Sequence, residues 1–173
     1  MKFLAILVIA LVAVLVVSGC SSKPAYNILS DIQVTVPEGW ITEPPSATSV
    51  VYSSPLEDDS DLYYENLAVD VEILYEPTTL EAYLTASIQN LKEVLGKDPG
   101  PPQSTTFAGL PAYKLEYDYT IADSGLEADL RVVQLITIKN NKAYVITYGG
   151  EKAKFSQYET TFQQMVDSFK IKS

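Results

Sequence analysis

Side chains able to act as acids, bases, nucleophiles or metal ligands are restricted in kind along this chain. Cysteine occurs once, at Cys20, and histidine is absent, so the commonest general base, metal ligand and triad member is missing. Carboxylates, hydroxyls and tyrosines are left. The densest acidic group is Glu57, Asp58, Asp59 and Asp61, which with Ser60 offers the hard oxygen ligands that calcium or manganese takes. Its spacing lacks the central glycine and the distant glutamate of an EF-hand loop, so a solvated loop ahead of Leu62-Tyr63-Tyr64 is expected. Glu65, Asp70 and Glu72 have the types for an acid and base pair, yet their alternation suits an exposed strand face. Gly149-Gly150 stands between a strand and a helix without the further glycines and lysine of a phosphate loop, and is expected to be a turn.

Cys20 carries the most information. It closes an apolar run, Phe3 to Val17, of fifteen residues. As a helix that run is about 22 Å long, short of a hydrocarbon core of about 30 Å. Lys2 supplies the positive flank and small residues follow, the build of a secretory signal. Val17-Ser18-Gly19-Cys20 resembles the lipobox of prokaryotic lipoproteins, in which the cysteine sulfur receives a diacylglyceryl group and becomes the new N-terminus. The resemblance implies a signal peptide over 1–19, a lipidated tether over 20–31 and a folded domain over 32–173. Two or three acyl chains hold a protein stably where one binds marginally. Lipid on Cys20 also leaves no thiol for an internal disulfide, so the stability of the domain must come from packing.

Cleavage before Cys20 leaves 154 residues, the size of one domain with room for a core. Eleven cationic against 22 acidic residues remain, a net charge of −11. Such a surface repels phosphate backbones and anionic headgroups. Nucleic acid is therefore not an expected partner, and the domain is expected to stand off the membrane on a tether reaching at most about 33 Å.

Hydrophobic periodicity places the elements. Ile32 to Val36 alternates and stops at Pro37-Glu38-Gly39-Trp40, a strand ending in a turn. Ser49 to Ser53 is a short strand. Leu67, Val69, Val71, Ile73 and Tyr75 share one face of a half-buried strand, with Ala68, Asp70, Glu72 and Leu74 on the other. Thr78-x-x-Glu81 has the form of a capping box, and Leu80, Tyr83, Leu84, Ile88, Leu91 and Leu95 follow at helical spacing up to Gly96. The three prolines and the glycine of Lys97 to Pro102 make a loop. Tyr113 to Ile121 alternates as an amphipathic strand before a turn at Asp123-Ser124-Gly125. Leu130 to Ile138 and Ala143 to Tyr148 are apolar at both parities, so both faces are expected to be covered. Asn140-Asn141 between them suits the positive φ of a tight hairpin. A last helix carries Phe155, Tyr158, Phe162, Met165 or Val166, and Phe169 on one face, with Ser156-x-x-Glu159 as a capping box.

Hairpin-linked strands with separate helices indicate an α+β fold with a mainly antiparallel central sheet flanked by helices. Ile32 to Trp40, Phe107-Ala108-Gly109-Leu110-Pro111-Ala112-Tyr113, Ala143 to Tyr148 and Phe155 through Ser168-Phe169, in that order and spacing, resemble the PsbP-like superfamily over about 32–171. The resemblance implies an α/β/α sandwich and a secreted or lipid-anchored, non-catalytic protein. It implies no cofactor. A photosynthetic role does not travel with the fold.

Twelve tyrosines against one tryptophan suit either packing or contact with sugars and protein partners. Periodicity assigns Tyr113, Tyr117, Tyr144, Tyr148 and Tyr158 to packing and leaves Tyr63 and Tyr64 as interface candidates. Trp40 is expected to cover the sheet edge. The functional expectation is a non-catalytic, lipid-anchored extracytoplasmic module that binds an envelope protein or complex and meets the membrane through Cys20. The alternative is a small-ligand or metal receptor using the Asp58 to Asp61 loop or a tyrosine-lined cleft, and a hydrolase with paired carboxylates ranks last.

Overall fold

Alternating apolar residues commit the largest share of the described residues to one sheet. The computed structural model describes residues 27, 30–57, 61, 63–123 and 126–172, so Phe3 to Val17, Cys20, Asp58, Asp59, Ser60, Ser124 and Gly125 lie outside the described residues. The strands are β1 (Ile32–Gln33), β2 (Ile41–Thr42), β3 (Ser49–Ser53), β4 (Asn66–Ile73), β5 (Gln103–Phe107), β6 (Leu110–Asp123), β7 (Leu126–Lys139), β8 (Lys142–Glu151) and β9 (Lys170–Ile171). The helices are α1 (Leu80–Leu95) and α2 (Phe155–Ser168). Seven strands form a sheet in the order β2-β3-β4-β8-β7-β6-β5, and β1 with β9 makes a separate pair. Every pairing is antiparallel.

The parity of the central strands separates two cores. Leu115, Ile136 and Val145 cluster with Leu84 and Leu91 of α1. Leu135, Tyr144 and Ile146, of opposite parity on β7 and β8, cluster with Phe155, Phe162 and Met165 of α2. The helices therefore pack on opposite faces of the sheet, since successive strand residues point to opposite sides.

Turn chemistry sets the register. Asn140 and Asn141 have φ of 52° and 57° between the paired Lys139 and Lys142, a two-residue hairpin of the primed kind. Ala108 and Gly109, with φ of 50° and 77°, make a second such turn between Phe107 and Leu110. At Ala108 a Cβ is carried in left-handed backbone, a conformation that disfavours any side chain.

Several expectations need correction. The first strand stops at Gln33, because its partner β9 is two residues long; Thr35 instead donates its N–H to Ser168 Oγ at 2.8 Å. α1 is capped by Thr79, whose hydroxyl accepts from Ala82 N–H, so the capping box at Thr78 and Glu81 is one residue out of phase. α2 begins at once after Lys154 with no side-chain cap, which removes the box at Ser156 and Glu159. Gly149 and Gly150 are inside β8 rather than in a turn. β4 is buried on both faces from Asn66 to Val71, where one covered face was expected.

Candidate functional site

The loop between β3 and β4 is closed at its base by Ser54 and Glu65. Ser54 N–H donates to the Glu65 carbonyl at 2.8 Å, and its hydroxyl donates to Glu65 Oε2 at 3.3 Å. Glu65 has no exposed surface, and its Oε1 has no hydrogen-bond partner among the described residues. Burial pushes this carboxyl above the usual range, because a desolvated charge is disfavoured. Gly150 makes the space: a Cβ there would lie 2.8 Å from Glu65 Cγ.

Above that base, Lys154 gathers carboxylates. Its Nζ is 2.9 Å from Glu151, 3.1 Å from Glu57 and 3.2 Å from Asp61. The hydrogen bonds to Glu151 and Glu57, with that to Asp61, hold the ammonium above its ordinary value. Asp61 is buried, which by itself raises its pKa. The backbone N–H groups of Glu57 and Tyr63, together with Lys154, outweigh that and hold it below the carboxylate range. Of the acidic loop, Glu57 and Asp61 are thus spent on a lysine. Among the described residues no three carboxylates are placed to hold a metal ion.

Glu65, Asp70 and Glu72 do not share a site, and their strand face is not exposed. Asp70 pairs with Val145 of the α1 cluster, whereas Glu65 meets Gly150 on the α2 side. Asp70 is 8% exposed, and its Oδ2 has no partner among the described residues. Burial pushes it up, opposed by the Ser49 hydroxyl. Glu72 accepts a hydrogen bond from the Tyr83 hydroxyl at 2.8 Å, so α1 lays a phenol over this acid.

The tyrosines divide differently from expectation at one place. Tyr144 and Tyr148 are buried, and Tyr113, Tyr117 and Tyr158 pack against the cores. Tyr63, expected at an interface, is buried against Ala128, Leu130 and Val132. Its hydroxyl accepts from Asn66 Nδ2 at 3.2 Å, and burial pushes the phenol up to about 12. Tyr64 stays accessible, 37% exposed. Trp40 meets Phe162 and Tyr158 edge-on, with ring centroids 5.9 Å and 6.5 Å apart, a packing role.

What sequence reading did not find is a groove of about 860 Å³ on the α2 face. α2 lies along β8 and leaves β7, β6 and β5 to form the floor and far side. Val133 and Leu135 line the floor, Glu159, Gln163 and Asp167 the α2 wall, and the β5–β6 hairpin the opposite wall. Charges are arranged within it. Lys114 pairs with Glu116 at 2.6 Å, and Arg131, the only arginine of the chain, shares Asp118 with Lys152 at 3.2 Å and 2.7 Å. The hydrogen bond from Lys152, the largest effect, together with Arg131 outweighs the opposing effect of burial and holds Asp118 below the carboxylate range. Alternation along β6 put Lys114 and Glu116 on one face in the sequence; that Arg131, Val133 and Leu135 of β7 share that face follows only from the strand register.

An antiparallel sheet with one helix on each face and a groove beside the C-terminal helix defines a class of α+β fold. The PsbP family profile matches residues 26–171, and the chain belongs to the PsbP family. No curated protein matches its sequence. Among solved structures it is similar to cyanobacterial PsbP (CyanoP) from Synechocystis sp. PCC 6803, at 16% identity and a TM-score of 0.55 over 90% of this chain and 98% of that one. LpqN of Mycobacterium tuberculosis, described as involved in cell envelope biogenesis, gives 13% identity and 0.53 over 82% and 83%. The Ran-binding protein Mog1p of Saccharomyces cerevisiae gives 15% and 0.52 over 84% and 93%. Identities this low establish a shared fold. Among the described residues no helix is long and apolar enough to cross a membrane.

Proposed function

We propose that this protein is a non-catalytic binding or assembly module, anchored by lipid on Cys20 at the extracytoplasmic side of a cell membrane. In this reading the domain is the α/β/α sandwich of its family, and it offers the α2 groove to an envelope protein. The observation that carries the reading is how the polar residues are spent. Glu57, Asp61 and Glu151 are held by Lys154, Asp118 by Arg131 and Lys152, and Glu72 by Tyr83, while the groove stays open. A general acid or base must reach a substrate proton; a binding surface needs only shape and accessible groups. Relatives named for envelope biogenesis and for binding Ran support a scaffold that works by contact.

Two measurements test it. Mass spectrometry of the natural protein is expected to show residues 1–19 removed and a diacylglyceryl thioether on Cys20; an intact leader with a free thiol overturns the anchor. Cross-linking in native membranes through a photoreactive residue at Gln163, on the groove wall, is expected to capture one recurrent envelope protein. Repeated absence of any such product overturns the binding role.

The groove also favours a second reading, a receptor for a small ligand, since its volume lies within the range of ligand pockets, about 300–1,000 Å³. Calorimetry of the chain with common sugars, calcium and manganese separates the two: heat from a sugar that is lost in Arg131→Ala supports the receptor, and silence across the panel removes it.

A further inference from the structure

β5 ends the seven-stranded sheet, and edge strands carry unpaired backbone groups that invite another strand. Natural edges are blunted by charge, proline, bulges or a covering segment. Gln103-Ser104-Thr105-Thr106-Phe107 has no charge and no proline, pairs with β6 residue for residue without a bulge, and leaves Gln103, Ser104 and Thr106 exposed.

The register says which groups face out. In a two-residue hairpin the flanking pair, Phe107 with Leu110, exchanges both hydrogen bonds, and bonded pairs then alternate along the ladder. Thr105 and Gln103 therefore bond inward to Ala112 and Lys114, and Ser104 and Thr106 turn N–H and C=O away from the sheet. Pro111 opposite Thr106 fits this pattern, as it sits where no donor toward β5 is needed.

These outward groups are self-complementary. Laying a second β5 antiparallel with Thr105 opposite its own copy sets Ser104 against Thr106 twice, and each such pair exchanges two hydrogen bonds. Charge points to the same occupant. The chain carries a net −10, so two copies repel over most of their surfaces. Residues 99–113, between Asp98 and Lys114, hold no charged side chain, the longest such run after Cys20. β5 lies inside it, where two copies meet with the least electrostatic cost.

The geometry points to β5 as a homodimer edge, with a two-fold axis at Thr105 that joins two seven-stranded sheets into one continuous sheet. An isologous contact of this kind is the commonest closed symmetry. The axis stands perpendicular to the sheet, so both α2 grooves open on the same side and share the β5–β5 wall between them. A five-residue strand pair is a small contact, and confinement of both copies to one surface raises their effective concentration.

Single cysteines in the full-length chain in detergent micelles test this, with the parent chain, carrying Cys20 alone, as background. Across a non-bonded antiparallel pair Cα atoms are about 4.5 Å apart, within disulfide reach. Thr105→Cys is expected to give a covalent dimer under mild oxidation. Gln103→Cys lies about 14 Å from its own copy in this register, four residues at about 3.4 Å each, and is expected to stay at background. Adding Thr106→Pro removes one outward N–H without touching a bond to β6, and is expected to lower the Thr105→Cys dimer at least tenfold with unchanged thermal unfolding. Ser104→Pro serves if that variant unfolds. Dimer yields from Thr105→Cys that do not exceed background, that Gln103→Cys equals, or that both folded proline variants leave unchanged overturn the inference. None of these outcomes depends on what the groove or Cys20 binds.

Discussion

The two faces of the sheet are closed in different ways. On the α2 face aromatic rings meet one another: Phe162 lies 4.7 Å from Tyr148, 5.9 Å from Trp40 and 6.0 Å from Phe155, centroid to centroid. Ile32 and Ile171 of the β1–β9 pair extend that core. On the α1 face the buried set is aliphatic and small, Leu84, Leu91, Leu115, Ile136 and Val145, with tyrosines at its margin. The contrast shows what holds the chain ends: large interlocked rings concentrate burial over β4 and β8 and reach across to β5 through Phe107, 5.2 Å from Phe169, while the groove opens above the covered floor of β7. Each face also hides one incompletely bonded acid, Glu65 on the α2 side and Asp70 on the α1 side.

Phe162→Ala strikes the contrast hardest. Loss of a fully buried ring at the centre of the aromatic cluster is expected to cost about 4 kcal/mol, read by urea denaturation. Leu91→Ala, in the thinner core under α1, is expected to cost about 2.5 kcal/mol. Equal losses would show that the faces are energetically alike and break the comparison.

Lys154→Met leaves Glu57, Asp61 and Glu151 without their shared cation. Asp61 has a lowered pKa in the folded state, so it contributes stability above the ordinary carboxylate value that is lost as pH falls through the lowered one. The variant is expected to begin acid unfolding at higher pH than the parent, followed by circular dichroism. An unshifted acid limb would show that the backbone N–H groups alone hold Asp61.

Glu65 behaves with the opposite sign. Its folded-state pKa is raised, so ionisation works against the fold, and the cost appears as pH rises from the ordinary carboxylate value through the raised one. Glu65→Gln is therefore expected to stabilise the protein by about 1 kcal/mol at pH 7, the gain vanishing in acid. A gain independent of pH would trace it to packing beside Gly150 instead. Smallest is Ala108→Gly, which relieves left-handed strain and loosens the unfolded chain; the balance is expected to be a gain of about 0.5 kcal/mol in thermal unfolding.

Legibility in the sequence followed how much burial each segment reports. α1, β3 and the β7–β8 hairpin could be read directly, because their apolar spacing and the Asn140-Asn141 turn are local signals. β5 could not: Gln103 to Thr106 has no apolar alternation, and an edge strand is held by its neighbour's backbone more than by its own side chains. Glu65 and Asp70 looked exposed because acids usually are; what buries them comes from α1, β8 and the β3–β4 loop, distant in sequence. Lys154 gave no sign at all, since the three carboxylates it gathers converge only in space. Gly149 and Gly150 looked like a turn, and the side chain that needs the bare backbone of Gly150 lies far upstream at Glu65.

The seam between β4 and β8 fixes an order of events. β5 to β8 is a run of hairpins that can zip as soon as each turn is made, a local and fast step. β2 to β4, earlier in the chain, has nowhere to join until β8 exists, because α1 and three later strands stand between the two edges in sequence. The N-terminal third of the domain therefore waits, unclosed, for β8. Closure of the sheet is thus a late event, one that needs both ends of the domain at once.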